Sequence, residues 1–204
     1  MNQSFVIIVC FTAASLGAAN NGTTAAVEGG AASFVVNTTV PGISVKGKST
    51  ALEARAVVER VSDVLRLENV EASIPVKSLL TGMAIRDEHM RRYIFTTAEG
   101  KTPDLRFEAA GAACTAQSGR SSEFSCQVSG SLAIRGVARP FSIPLKIRAE
   151  GAAYRATGES KVKLSDYGIE QPSQFGVRTA DEVQLHIEFS GKEGAAKIAS
   201  GGGR

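Results

Sequence analysis

Apolar and polar residues alternate along several segments of this 204-residue chain. The clearest segment is 183–189, in which every second residue is apolar: Val183, Leu185, Ile187 and Phe189. The segments 70–76, 128–134 and 141–147 show the same period. Because successive side chains of a strand point to opposite faces, this period predicts antiparallel strands that cover one core with one face each.

Turn-forming pairs such as Pro41-Gly42, Arg135-Gly136 and Thr157-Gly158 separate these segments. About eight short strands at this spacing predict a barrel or a sandwich. A closed antiparallel barrel has no free edge, and one of about eight strands can hold one small apolar ligand. A sandwich with a filled core would show the same periodicity, so the pattern leaves both architectures open.

One polar and charged run, residues 81–95, interrupts the strand-like segments. Ile85, His89 and Arg92 recur in it at helical spacing. The chain is therefore predicted to be an all-β protein with one inserted helix. The simplest role for such a helix is to close or lid what the strands enclose.

The two ends of the chain lack the alternation. Residues 5–19 form an uncharged apolar run that ends in small residues, as in a secretory signal peptide. We predict a cleaved signal peptide over residues 1–19, a periplasmic or secreted protein, and no stable membrane anchor after cleavage; a short membrane anchor is the alternative. Residues 20–32 and 192–204 hold few large apolar residues and are predicted to be a flexible lead-in and a flexible tail. The domain is then expected over residues 33–191.

The composition argues against several function classes. The net charge is only +3 and the aromatic fraction is 6%, whereas nucleic-acid binding needs concentrated basic charge, so we expect no nucleic-acid partner. The sequence shows no metal-ligand spacing, no nucleophilic triad and no phosphate-binding glycine motif. We therefore expect no metal, no cofactor and no catalytic residues; an enzyme that uses Asp87 and His89 remains a weaker alternative.

Two cysteines point to a disulfide. Cys114 and Cys126 flank a polar segment whose midpoint is Arg120, so in a hairpin that turns there they lie directly opposite each other. Directly opposed residues of an antiparallel pair can lie close enough for a disulfide, and export would provide an oxidising compartment. We predict a Cys114–Cys126 bridge; two buried free thiols are the alternative.

Five blocks of sequence together resemble the YceI-like domain family over about residues 45–190. The first, Ser78 to Gly82, is followed by an Arg-Asp-x-His-Met motif and later by Phe95, Pro103, Leu105 and Phe107. The blocks are 78–82 (SLLTG), 86–90 (RDEHM), 128–140 (VSGSLAIRGVARP), 165–169 (SDYGI) and 180–183 (ADEV).

The resemblance implies an extended, lipocalin-like antiparallel β-barrel of about eight strands with a helix near one end. It also implies export and the binding of a long-chain isoprenoid or a similar lipid inside the barrel. Inward-phase residues are the candidates to line such a pocket, although each of them could equally belong to a filled core: Leu132, Ile134, Ile143, Leu145, Leu185 and Ile187.

The resemblance also singles out Arg86, Asp87 and His89, which match the helix motif of the family. They would either bind a ligand head group at the mouth of the pocket or tie the helix to neighbouring loops. The sequence thus favours an exported, non-enzymatic lipid carrier. The alternative is a surface-interaction or stress-related module with a filled core; a homodimer is left open in either case.

The predicted disulfide can be tested by mass spectrometry of the chain from which residues 1–19 have been removed. In denaturant, alkylation without a reductant is expected to add no label, and alkylation after reduction is expected to add two. Two labels without reduction would contradict the bridge.

Overall fold

The described part of the chain, residues 23–174 and 176–194 of a computed structural model, is mostly antiparallel sheet. Its strands are β1 (Thr23–Thr38), β2 (Ser44–Ser49), β3 (Glu53–Val61), β4 (Val64–Ile74), β5 (Leu105–Gln117), β6 (Arg120–Ile134), β7 (Val137–Glu150), β8 (Ala153–Lys163), β9 (Ser173–Gln174) and β10 (Val177–Glu193). None of the helices in this part of the chain is both long and apolar enough to span a bilayer.

Eight of these strands close into a barrel. Their order is β1-β3-β4-β5-β6-β7-β8-β10, and β10 pairs back onto β1. The short strand β2 pairs with the second half of β1, and β9 pairs with the start of β10. The predicted all-β barrel of about eight strands is confirmed.

The closing strand β1 corrects one prediction. Residues 23–32, predicted to be flexible, form the first half of β1 and pair with both β10 and β3. Their small side chains gave no alternation to detect, yet they suit a close contact between strands. At Gly30, for example, an added Cβ would lie only 2.7 Å from Cβ of Phe189.

The C-terminal boundary of the domain also lies further out than predicted. Strand β10 extends to Glu193, which accepts a hydrogen bond from the hydroxyl group of Tyr154. The first two residues of the predicted flexible tail therefore belong to the barrel. The predicted signal peptide, residues 20–22 and the rest of the tail from residue 195 lie outside the described residues.

The barrel interior holds two apolar clusters. The first lies among β3 to β8 and includes the fully buried side chains of Leu65, Cys114 and Phe124. The second lies at the end of the barrel that carries the helix, and it includes Val76 and Tyr167. Both clusters are built from inward-facing residues, as the alternation predicts.

The predicted helix over residues 81–95 is present from Ala84 onwards. Helix α1 (Ala84–Met90) continues into a wider π-helical turn, Arg91–Phe95. Residues 81 and 82 lie outside it because Gly82 has a positive φ of 84°. Met90 and Phe95 are buried in the second cluster, so the helix closes this end of the barrel as expected.

The Cys114–Cys126 disulfide is present, with the two Cα atoms 4.3 Å apart. The adjacent pair in the ladder is Thr115 with Ser125, which places the two cysteines opposite each other as predicted. The hairpin, however, turns just before Arg120, at Ser118-Gly119, and a bulge in β6 restores the register.

The disulfide crosses the least regular seam of the barrel wall. Regular pairing between β5 and β6 is interrupted between the pairs Glu108–Ser131 and Thr115–Ser125. A covalent bond in this interval holds two strands together where few ladder hydrogen bonds do so. The sequence alone gave no sign that the seam was irregular.

Glycines allow close backbone approach on both sides of β5, and they provide a stability test. An added Cβ at Gly111 would lie 2.3 Å from the carbonyl oxygen of Leu67, whereas at Gly29 the nearest atom would be Ser190 Oγ at 4.0 Å. Gly111→Ala is therefore expected to lower the free energy of unfolding by about 1–3 kcal/mol. Gly29→Ala should change it by less than about 1 kcal/mol, in either direction.

Urea unfolding of the two variants and of the unsubstituted protein measures both effects. Equal stability of Gly111→Ala and Gly29→Ala would contradict the close approach of β4 and β5 at this level.

Candidate functional site

The polar residues of the resembling blocks form ties at the helix end of the barrel. The backbone N–H and the hydroxyl group of Thr81 both donate hydrogen bonds to Oδ1 of Asp87, each at 2.6 Å. In the same manner, the N–H and the hydroxyl group of Ser165 donate to the carboxylate of Asp181, at 2.8 and 2.7 Å. Each pair holds a loop against the element that follows it.

Two arginines extend these ties across the end of the barrel. Arg139 donates to the carbonyl oxygen of Asp166 at 2.7 Å, and Arg135 donates to that of Gly168 at 2.8 Å. Strand β7 and the β6–β7 turn are thereby joined to the loop that follows β8. The motifs that carried the resemblance thus build the end of the barrel rather than one chemical centre.

Asp87 illustrates this structural role. Burial by itself would raise the pKa of Asp87, but the hydrogen bonds from Thr81 and the nearby charges of Arg91 and Arg86 lower the pKa below its ordinary value. The carboxylate therefore remains ionised and bound to Thr81. Asp87 joins the helix to the preceding loop, which is one of the two roles that the sequence left open.

Arg86 and His89 do not share the surroundings of Asp87. Arg86 donates from Nη2 to the sulfur of Met83 at 2.8 Å, and the His89 ring packs edge-on against Tyr93 with 5.8 Å between ring centres. Among the described hydrogen bonds and ion pairs, none joins Asp87 to His89. The three motif residues therefore have three different partners, and a role of Arg86 or His89 at the pocket mouth stays a prediction.

The six candidate pocket residues divide into two sets. Ile134, Ile143 and Leu145 are buried within the two clusters. Leu132, Leu185 and Ile187 also face inward but are only half-buried. Their role as a pocket lining stays a prediction, and the half-buried set is the one that a ligand could reach.

The half-buried set lies between the two clusters. Leu132 and Leu185 pack on the second cluster and Ile187 packs on the first, while Phe141 packs on both. Phe107 meets Phe141 edge-to-face, with 5.9 Å between ring centres. We call these five residues the junction.

Two residues of β8 with small side chains lie opposite the junction: Gly158 opposite Ile187 and Ser160 opposite Leu185. Thr157-Gly158, predicted to be a turn, therefore lies within a strand. The side chains of Leu145 and Ile143 occupy the space at Gly158, where an added Cβ would lie 2.7 Å from Leu145 Cδ2. Inward-facing apolar side chains of a closed wall would be buried if the interior were filled at their level. Their partial exposure indicates that the two clusters do not fill the barrel at the junction.

A separate cleft of about 600 Å³ lies on the outer face of the wall. Residues of β1, β5, β6, β7, β8 and β10 line it, but none from β3 or β4 across the barrel does, which places it outside. Lys146, Arg148 and Arg155 contribute cationic groups, and Glu123 and Glu188 contribute carboxylates. The sequence interpretation did not find this cleft.

The cleft contains an unusual pair of like charges, because Arg148 and Arg155 are direct partners across β7 and β8. Glu123 offsets part of this charge through contacts of 2.7 Å to Arg148 and 2.9 Å to Arg120. The hydrogen bonds from these two arginines also lower the pKa of Glu123. A hairpin that turns at Gly151-Ala152 pairs Arg148 with Arg155, so the sequence symmetry that placed the two cysteines opposite each other could also have placed these arginines.

Comparison with known proteins points to one family. A profile of the YceI-like domain matches residues 23–190. A UPF0312 protein of Pseudomonas paraeruginosa is 30% identical over 130 residues, which span 61% of this chain and 62% of that protein. A UPF0312 protein of Pseudomonas savastanoi pv. phaseolicola is 29% identical over 128 residues, or 60% of this chain and 61% of the relative.

Solved structures share the fold at lower identity. Burkholderia cenocepacia BcnA has a TM-score of 0.60 at 18% identity and covers 79% of this chain and 95% of its own. A polyisoprenoid binding domain from Saccharophagus degradans has a TM-score of 0.61 at 14% identity and covers 84% of this chain and 99% of its own. The Campylobacter jejuni YCEI protein has a TM-score of 0.56 at 19% identity, covering 74% and 86%.

The tie between Thr81 and Asp87 predicts a pH dependence of stability. Because the pKa of Asp87 is lower in the folded chain than the ordinary value of about 3.9, the stabilisation is complete above that value. It is lost as the pH falls through the lowered pKa. Between about pH 6 and about pH 3 the unsubstituted protein should therefore lose more thermal stability than Asp87→Asn.

Glu88→Gln, which removes an exposed carboxyl group from the same helix, is the matched control. It should retain the pH dependence of the unsubstituted protein. Parallel stability curves for Asp87→Asn and the unsubstituted protein would contradict the tie.

Proposed function

Because the chain belongs to the YceI-like domain family, we propose that it is an exported, non-enzymatic protein that carries or sequesters a long apolar or amphiphilic lipid inside its barrel. The observation that carries this proposal is the junction, where inward-facing apolar side chains remain half-buried between two packed clusters. A protein whose only task was at its surface would have no need of unfilled apolar space at this level.

The chemistry of the interior favours a hydrocarbon chain. Ser49 and Asp87 are the buried polar residues of the described chain, and both are engaged, Ser49 with Ser78 at 2.6 Å and Asp87 with Thr81. The five junction residues are all apolar, and the hydroxyl group of Ser160 beside them donates to the carbonyl oxygen of Ser142 at 2.8 Å. Each CH₂ group that leaves water for such surroundings contributes about 0.8 kcal/mol, so a long chain could bind tightly without a charged anchor.

The ligand class and the compartment are further parts of the proposal. The solved domain from Saccharophagus degradans is described as polyisoprenoid binding, and it shares this fold. A long-chain isoprenoid is therefore the first ligand to test. The apolar run at residues 5–19 and the Cys114–Cys126 disulfide both support export to an oxidising compartment, such as the periplasm.

A surface-interaction module is the second candidate function. The outer cleft, with its paired Arg148 and Arg155, favours it, because the cationic groups of the cleft outnumber its carboxylates and a concave surface of net positive charge suits an anionic partner. This candidate requires no ligand in the barrel, so the same experiment separates the two functions.

Three variants of β10 test the carrier function. Leu185→Gln and Ile187→Gln place an amide at the junction, and His186→Gln places the same group on the outer face between them. We expect each junction variant to weaken binding of a long-chain polyprenol by at least about tenfold, because a polar group would face the hydrocarbon. The control should bind as the unsubstituted protein does.

Binding is measured by native mass spectrometry after delipidation and incubation with the polyprenol. Far-UV circular dichroism and thermal unfolding establish that each variant is folded. A folded, unsubstituted protein that takes up no polyprenol, or equal uptake by all three variants, would contradict the carrier function and favour the surface-interaction module.

A further inference from the structure

Exposed apolar side chains are concentrated at the helix end of the barrel. Six large apolar side chains of the described residues are exposed: Ile43, Val61, Leu80, Met83, Ile85 and Tyr93. Four of the six lie between Leu80 and Tyr93, with exposures of 53%, 49%, 62% and 58% in chain order. We call residues 77–95, which contain them, the lid segment.

The fold explains why these four side chains have no partner within the barrel. Helix α1 and the turn after it use Met90 and Phe95 to cover the second cluster. Ile85 and Tyr93 take no part in this cover, and their side chains are exposed to solvent. Leu80 exchanges two backbone hydrogen bonds of 2.9 Å with Lys48 of β2, which fixes its backbone but leaves its side chain exposed.

The charge of the lid segment is positive. It contains four cationic residues, Lys77, Arg86, Arg91 and Arg92, and two carboxylates, Asp87 and Glu88. The ionised Asp87 offsets part of the charge of Arg86 and Arg91, which lie near it, whereas none of the four cations forms a salt bridge within the described chain. The surface that carries the exposed apolar side chains therefore also carries a net positive charge.

One pair of residues combines both properties. The guanidinium group of Arg92 lies over the ring of Tyr93, 5.6 Å from its centre, and both side chains are exposed. Tyrosine and arginine each have an apolar body and a polar tip, which suits the boundary between lipid head groups and acyl chains. A helix with apolar and cationic residues of this kind is typical of segments that lie in that boundary.

We propose that the lid segment docks onto the surface of an anionic lipid bilayer. Leu80, Met83, Ile85 and Tyr93 enter the head-group region, and Lys77 and Arg92 lie against the anionic head groups. This docking goes beyond the proposed carrier function and does not require a ligand in the barrel. It would bring the closed end of the barrel against a membrane that contains apolar lipids.

Vesicle co-sedimentation tests the docking. We expect the protein to bind vesicles of phosphatidylglycerol and phosphatidylcholine, and to bind pure phosphatidylcholine vesicles much more weakly. Raising the salt from about 0.1 to about 0.5 M should weaken binding to the anionic vesicles, because screening shortens the reach of the charges. Equal binding to both vesicle types would overturn the proposal.

Substitutions at the two ends of the barrel locate the docking surface. Ile85→Asp is expected to weaken binding to anionic vesicles by about tenfold or more, because it replaces an inserted apolar group with a charge. Val61→Asp is the matched control. Val61 is exposed at the β3–β4 turn, and the eleven-residue strand β4 separates it from the lid end by roughly 35 Å. Equal effects of the two substitutions would overturn the assignment to the lid segment.

Fluorescence detects docking directly and does not rely on a substitution that weakens binding. The chain contains no Trp, so a single introduced Trp reports on one position. The emission of Tyr93→Trp should shift to the blue on addition of anionic vesicles and be quenched by brominated acyl chains, whereas that of Val61→Trp should not change. An unchanged emission of Tyr93→Trp in the presence of vesicles would overturn the proposal.

Two further outcomes separate this proposal from others. If polyprenol uptake is intact but the protein fails to bind vesicles, docking is wrong and the carrier function stands. If the protein fails to bind vesicles and instead forms a dimer that Ile85→Asp dissociates, the partner of the lid segment is a second copy of this chain and membrane docking is overturned.

Discussion

Closure of the sheet by β1 and β10 is the constraint on which the rest of the structure depends. Without that ladder both strands would present unpaired N–H and C=O groups along a free edge. The contact is close because of a glycine on each strand: a Cβ at Gly30 would meet Phe189, and one at Gly191 would lie 2.8 Å from the carbonyl oxygen of Ala26. Closure also fixes which residues of β10 face the interior of the barrel, and Leu185 and Ile187 are among them.

The two ends of the closed barrel are secured in different ways. At the end away from the helix, the Cys114–Cys126 disulfide joins two strands across an irregular seam, and Tyr154 binds the end of β10 through Glu193. At the helix end, side-chain ties such as that of Thr81 to Asp87 hold loops and helix in place. The interior between these ends is packed in two clusters with a less filled junction between them. A long apolar ligand at the junction would lie in the interior of the barrel, whereas a membrane would contact the lid segment at the helix end.

Side chains that are common in catalytic or ligand-binding sites can have a structural role instead. The Arg-Asp-x-His run of the helix contains groups that could bind a head group or move a proton. In the structure Asp87 is buried and bound by Thr81, while Arg86 and His89 contact Met83 and Tyr93. The cationic groups of the outer cleft, by contrast, lie on strands whose sequence pattern indicated only an ordinary solvent-facing side.

Most of the fold followed from patterns that are local in the chain. A strand alternates with period two whatever its partner is, so 183–189 and 141–147 could be assigned without knowledge of the tertiary structure. The helix could be predicted because helical spacing is also a local pattern, and the cysteine pair followed from the symmetry of a single hairpin. The tertiary structure alone decided that residues 23–32 form a strand, because their small side chains become informative only against Phe189 and the rest of β10. It also decided which inward-facing residues stay accessible. The sequence predicts that Leu145 and Leu185 both face inward, but only Leu145 is fully buried. Burial depends on the residues that pack across the barrel, and those neighbours lie far away in the chain.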